Sequence, residues 1–280
     1  MIDFFFALLD YKFLQNAVIA CLLASVGCGI MGSYVVVKRI GFLAGGIAHT
    51  VLAGMGIAYF LDASPVLGAV ITALIAGACI GWINLHWKQN EDILIAAFWS
   101  VGMAVGILFI TRTPGYSVDL MSYLFGNILL VSSGDIVLMT VLDFVIVVTV
   151  ILFYKQFLAA TFDEEFARLR GINIEGFYIL LMCLVALTVV LLIQIVGLIL
   201  VIALLTLPAA SAAQVAGSVS RMMVVSVLLS IFVTVGGLAI SYGPDLPAGA
   251  TIVITAGIVY AFSVMGTRLI RYRQNLGNSD

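Results

Sequence analysis

The sequence predicts an all-α fold, a polytopic transmembrane bundle of about nine membrane-crossing helices (eight to nine). Three observations carry this. Of the 280 residues, 64% are hydrophobic and 9% charged, with a mean hydropathy of +1.25. A soluble domain carries about 25% charged residues, so this chain could not cover its surface in water. Apolar stretches of about twenty residues recur, each long enough to cross a hydrocarbon layer. Polar breakers separate them: Lys38-Arg39, Asp62 to Pro65, Lys88 to Asp92 and Arg112 to Tyr116.

The spans fall at 13–37, 41–60, 65–85, 93–111, 136–154, 177–195, 197–215, 222–241 and 247–267. Residues 1–12 are apolar but too short to span. They carry Asp3 and Asp10 and no basic start, which predicts an interfacial helix and not a secretory signal. The stretch 177–215 must be cut to give two crossings, and Gln194 with Gly197 supplies the break; without it the count is eight. Lysine and arginine favour the cytoplasmic side. With the first span running inward, Lys38, Arg39, Lys88, Lys155, Arg168, Arg170, Arg221, Arg268, Arg271 and Arg273 collect inside, against Lys12 and Arg112 outside. That places the N-terminus outside and the C-terminus in the cytoplasm.

Two segments do not span. Residues 155–176 are the most charged part of the chain, and TFDEEFARLRG reads as a cytoplasmic helix with Thr161 as N-cap and Gly171 as terminator. A solvated loop helix and a docking surface both fit it. Residues 114–135 contain an apolar piece too short to cross, which reads as an outer re-entrant or interfacial element sheltered by protein. Glycines cluster at Gly27–Gly29–Gly32, Gly45–Gly46 and Gly102–Gly106, where they let helix backbones approach closely. The whole of 1–280 is one transmembrane domain.

The chemistry these residues allow is narrow. Cys21, Cys28, Cys79 and Cys183 sit in apolar segments without metal-site spacing and read as packing residues. None of the four lysines lies in a G-x-x-x-x-G-K-[ST] pattern, so any ATP that drives the protein binds another chain. No HExxH motif or serine–histidine–carboxylate set supports a hydrolase, and no basic tract suggests nucleic acid. Ionisable groups inside a membrane are costly and therefore mark function. His49, in FLAGGIAHT, lies ~12 Å into the second span at 1.5 Å per residue. Imidazole is the commonest metal ligand; a histidine hydrogen-bonded to a neighbouring helix is the plainer alternative. Asp143 is the second deep group, either part of a cation path or a hydrogen-bonding residue of the bundle. Asp119 and Asp245 stand at outer turns, where they could guide an incoming cation. His86 reads as interfacial. The residues alone describe a multi-span transporter or channel for a cation.

Five stretches in order, LAGGIAHTVLAG, VDLMSYLFGNILLVSSGD, TFDEEFARLRGI, QIVGLILVIALLTLPAASA and DLPAGATIVI, resemble the permeases of zinc and manganese ATP-binding-cassette importers, over nearly the whole chain. The resemblance implies a homodimer of permeases, two ATPase subunits that bind the ATP, and an extracytoplasmic metal-binding protein, with the metal as cargo and no cofactor held permanently. It puts His49 at the metal-path histidine. Phe162, Asp163, Glu164 and Arg168 fall in its cytoplasmic helix, and Pro208 to Arg221 in the region that couples to the ATPase. Asp245 begins an outer turn shared with cobalamin and iron-chelate permeases. Many relatives carry an aspartate four residues before the histidine, on the same helix face; here that position is Gly45. With Asp143 as a possible substitute ligand, the absent carboxylate tilts the cargo towards zinc before manganese or iron. Gly45 and Gly46 are expected to admit a neighbouring helix or second protomer and leave His49 facing a polar path. A stand-alone secondary carrier or channel is the alternative function.

Overall fold

The computed structural model describes residues 2–87, 91–113, 126–162, 164–244 and 246–277, which are helical with no strand among them. The elements are α1 (Ile2–Asp10), α2 (Lys12–Lys38), α3 (Gly41–Phe60), α4 (Pro65–His86), α5 (Glu91–Arg112), a 3-10 turn (Ile128–Leu130), α6 (Ser133–Leu152), α7 (Tyr154–Phe162), α8 (Glu164–Leu169), α9 (Ile174–Ala213), α10 (Val219–Tyr242) and α11 (Ala248–Gly277). Among the described residues, eight helices are long and apolar enough to cross a membrane, and Leu200–Ala213 is a shorter apolar one.

That shorter helix is the second limb of α9, and the break lies at Gly197, where φ is 72° and ψ is 175°. The contacts on either side show that the chain turns back there. On the first limb, Tyr178 donates its hydroxyl to Asn84 near the end of α4, and Lys38 at the end of α2 lies over its ring. Thr188 and Leu191 reach Gly27, midway along α2. Beyond the turn, Cys28 Sγ donates to the Leu204 carbonyl, and Leu205 and Ala209 lie against Gly32. Ascending from residue 178 to 191 thus moves from the Lys38 end towards mid-helix, and 204 to 209 descends again. Two antiparallel limbs replace one 40-residue rod, which at 1.5 Å per residue would be ~60 Å long, twice the hydrocarbon thickness. The tip packs on Gly126, where a Cβ would stand 2.6 Å from the Ile195 carbonyl oxygen.

With that reversal every limb alternates direction. Ser25 of α2 pairs with Thr234 of α10 at 3.0 Å, Gly29 faces Val227, and Phe4 meets Tyr242 edge-on, so α10 runs away from the Lys38 end. Ser263 of α11 donates to the Ser211 carbonyl, bringing α11 back. The N-terminal α1 and the end of α11 therefore lie at opposite ends of the bundle.

Two helix boundaries differ from the hydropathy reading for the same reason, local capping. α6 begins at Ser133 and not at 136, because Ser132 and Asp135 form a capping box: the Asp135 amide donates to Ser132 Oγ at 3.2 Å and the Ser132 amide to Asp135 Oδ2 at 2.9 Å. α9 begins at Ile174 and not at 177, since Asn173 Oδ1 accepts the Gly176 amide at 3.0 Å. The expected N-cap at Thr161 is wrong. Phe157, 1% exposed and 5.7 Å from the Tyr34 ring, gives this segment a buried face that starts a helix at Tyr154, and Thr161 lies inside it. Gly171 does end α8, at φ +73° with its amide donating to Arg168.

Candidate functional site

α3 is the most enclosed of the eight spans. It is gripped on two sides through glycines that allow backbone contact: a Cβ on Gly102 of α5 would stand 2.6 Å from Thr50 Cα, and one on Gly68 of α4 2.8 Å from Ala58 Cβ. Thr50 adds a polar clasp, donating to its own Gly46 carbonyl at 2.7 Å and lying 3.0 Å from the Phe98 carbonyl of α5.

His49 is held in this clasp, 5% exposed. Its ring stacks on the indole of Trp99, with centroids 3.9 Å apart and planes within 11°. Nδ1 has no hydrogen-bonding partner among the described residues. The plainer alternative, a histidine satisfied by a neighbouring helix, is therefore not what the geometry contains at that nitrogen. Among the described residues of the single chain, apolar side chains and not the expected open polar path stand beside it. Gly45 packs against Ile202 of the second limb of α9 and, at 3.8 Å, Trp99; Gly46 packs against Ile95. These glycines serve close apolar contact, and the ring is shielded by the indole.

A Cβ on Gly45 would collide with Ile202 Cδ1, the far end of its side chain, so the isoleucine would have to turn aside for a larger residue to fit. Gly45→Asp alone is expected to lower the yield of assembled protein, and Gly45→Asp with Ile202→Ala to restore it; size-exclusion profiles of the two variants check this.

Asp143 is also deep, 5% exposed, with Oδ1 unpartnered among the described residues. It faces α2, where a Cβ on Gly27 would stand 2.9 Å from Oδ1, beside Thr188 and Leu191 of the first limb of α9. No hydrogen bond joins it to His49, and no group of three or more histidine, cysteine or acidic residues that could hold a metal occurs among the described residues. The structure does not bring Asp143 to His49 as a substitute ligand. Asp119, Asp163 and Asp245 lie outside the described residues.

At the Lys38 end, Phe162 and Arg168 are exposed. Arg221 is exposed at the start of α10, after a turn in which Val215 and Gly217 are also exposed. Pro208 differs: it lies inside the second limb of α9 and is buried, so it cannot meet another chain directly. The residue that sequence reasoning missed is Trp99. Tryptophan concentrates at membrane interfaces, so one placed some way into a span, in AAFWS, was the available signal.

The comparisons with known proteins agree with this architecture. The family model described as the ABC 3 transport family matches residues 10–267. A probable metal transport system membrane protein of Chlamydia pneumoniae is 41% identical over 88% of this chain and 86% of its own length. The manganese transport system membrane protein MntC of Halalkalibacterium halodurans is 34% identical over 93% of this chain and 89% of its own. The solved structure of PsaBC from Streptococcus pneumoniae in complex with Fab superposes with a TM-score of 0.85 at 32% identity, covering 94% of this chain and 95% of that one. With a match running from the start of α2's approach to the last crossing, the chain belongs to the ABC 3 transport family, the membrane-spanning permease subunits of divalent-metal ATP-binding-cassette importers.

Proposed function

We propose that this permease carries manganese inward and that His49 is its mid-depth metal ligand. The observation that supports this most directly is the imidazole itself, buried at the centre of the bundle with Nδ1 lacking a hydrogen-bonding partner among the described residues. A buried polar atom left so carries a desolvation cost, which a passing cation bound to the ring would offset. Manganese is favoured by the similarity to the manganese transport system membrane protein of Halalkalibacterium halodurans. Zinc is the second reading, because an imidazole with Gly45 in place of a carboxylate suits zinc better than manganese.

The Lys38 end faces the cytoplasm, by the excess of lysine and arginine there. Exposed Phe162 and Arg168 and the turn from Val215 to Arg221 offer the ATPase subunit its docking surface at that end. Two permease copies, two ATPases and an extracytoplasmic metal-binding protein complete the importer, with Asp119 and Asp245 guiding the ion from outside. Binding at one imidazole per subunit is strong enough to admit the ion and weak enough to release it.

The test is uptake into proteoliposomes. Transport is expected only with the partner ATPase and ATP, with manganese stimulating ATP hydrolysis at lower concentration than zinc or iron. Zinc acting at the lowest concentration would select the second reading. Gradient-driven flux through the purified permease alone would overturn both in favour of a stand-alone carrier.

A further inference from the structure

We propose that Trp99 is the positioning residue of His49, holding the plane of the imidazole so that one ring nitrogen points edge-on at the cation. The inference rests on the reading of His49 as a metal ligand and adds the group that orients it. A metal-binding histidine is ordinarily aimed by a hydrogen bond from its other ring nitrogen to a carboxylate, carbonyl or water. His49 has no such partner at Nδ1 among the described residues. The hydroxyl of the adjacent Thr50 is committed to the carbonyls of Gly46 and Phe98.

What contacts the ring is the indole of Trp99, nearly parallel at 3.9 Å. A stack on one face resists rotation of the ring out of its plane, because tilting would drive an imidazole edge into the indole. It leaves the in-plane direction, along which metal–nitrogen bonds form, unobstructed by Trp99. The stack is itself registered. Thr50, next to His49, bonds Phe98, next to Trp99, so the two backbones are tied one residue away from the two rings. Phe42 flanks the indole at 6.3 Å. An imidazole aimed by stacking is also not made more basic, as one hydrogen-bonded to a carboxylate would be. A ligand held this way is firm in direction and modest in affinity, which a transport site requires.

The experiment uses the complete importer in proteoliposomes, with uptake measured for manganese chloride and zinc chloride. Trp99→Leu keeps bulk without a ring face, and Trp99→Phe keeps the face. Trp99→Leu is expected to raise the KM of the transported metal about tenfold, the loss typical of an orienting partner, with Vmax little changed. Trp99→Phe is expected to return KM close to that of the unaltered protein. In a Trp82→Phe, Trp87→Phe background, manganese is expected to quench the emission of Trp99, and His49→Ala to abolish that quenching. An unshifted KM in Trp99→Leu, a loss of Vmax alone, or no recovery in Trp99→Phe would overturn the positioning role while His49 keeps its own. Undiminished uptake in His49→Ala would overturn the metal-ligand reading and this inference together. Should Trp99→Leu fail to assemble, the Trp99→Phe kinetics and the quenching experiment decide the matter, each read as above.

Discussion

His49→Ala is expected to lower metal uptake by roughly 100-fold or more, beyond what loss of an outer partner costs, while the importer still assembles. Both halves of this expectation come from the same geometry. The imidazole contributes a nitrogen that no described residue satisfies, so its removal strands no partner and even relieves a burial cost. What the fold loses is a ring stack, about 0.5–1.5 kcal/mol, and the space it filled. α3 remains gripped through Gly54 and Gly102 and through the Thr50 clasp, none of which involves the ring. Uptake by reconstituted protein, set beside size-exclusion profiles of the complex, separates the two effects. A mutant that transports at the original rate would remove His49 from the mechanism and leave the family assignment untouched.

Gly197→Val is expected to have the largest effect on the fold itself. At φ 72° and ψ 175° the backbone lies in a region that is essentially restricted to glycine. A side chain there costs about 1–3 kcal/mol in backbone strain alone, and a β-branched one is restricted further at χ1. The tip has no room to relax, since it packs directly on the backbone of Gly126. The expected outcome is a marked fall in monodisperse protein after detergent extraction and a lower thermal midpoint. Gly257→Ala is the control. It lies inside α11 with open space around it, and there alanine is the better helix former. A Gly197→Val protein with unaltered yield and midpoint would mean that the hairpin tip tolerates another conformation.

The helical spans and the reversal within the long apolar stretch were legible in the sequence because they depend on quantities a sequence contains. Apolar length identifies spans, and Gly197 could be named as the turn because one 40-residue apolar stretch is too long for a single crossing. The distribution of Lys38, Arg221 and Arg268 asked for one reversal more than eight crossings give, and α9 turns back at Gly197 into the shorter apolar limb Leu200–Ala213. Neighbour relations were not legible. Hydropathy gives no indication that α5 returns beside α3, so Trp99 could not be matched with His49, nor Ile202 with the vacancy at Gly45. Depth along a span was all the sequence could compare for Asp143 and His49; their neighbours differ, Asp143 facing Gly27 of α2 and His49 stacking on Trp99 of α5. Pro208 was assigned to a surface by its proximity in sequence to Arg221, which stands eight residues beyond the end of the helix that buries Pro208.

The returning limb of α9 has a mechanical consequence. Ile202, in contact with Gly45 one turn before His49, and Ala213, beside the exposed Val215 turn, are on the same helical limb, with Pro208 between them. Their separation is eleven residues, or ~17 Å of axial rise, and a helix transmits displacement along its axis as a stiff rod. A shift imposed on the turn at Val215 thus reaches the contact with Gly45 along a limb whose sequence provides two places to bend, Pro208, which has no amide hydrogen to give, and Gly197 at the far tip.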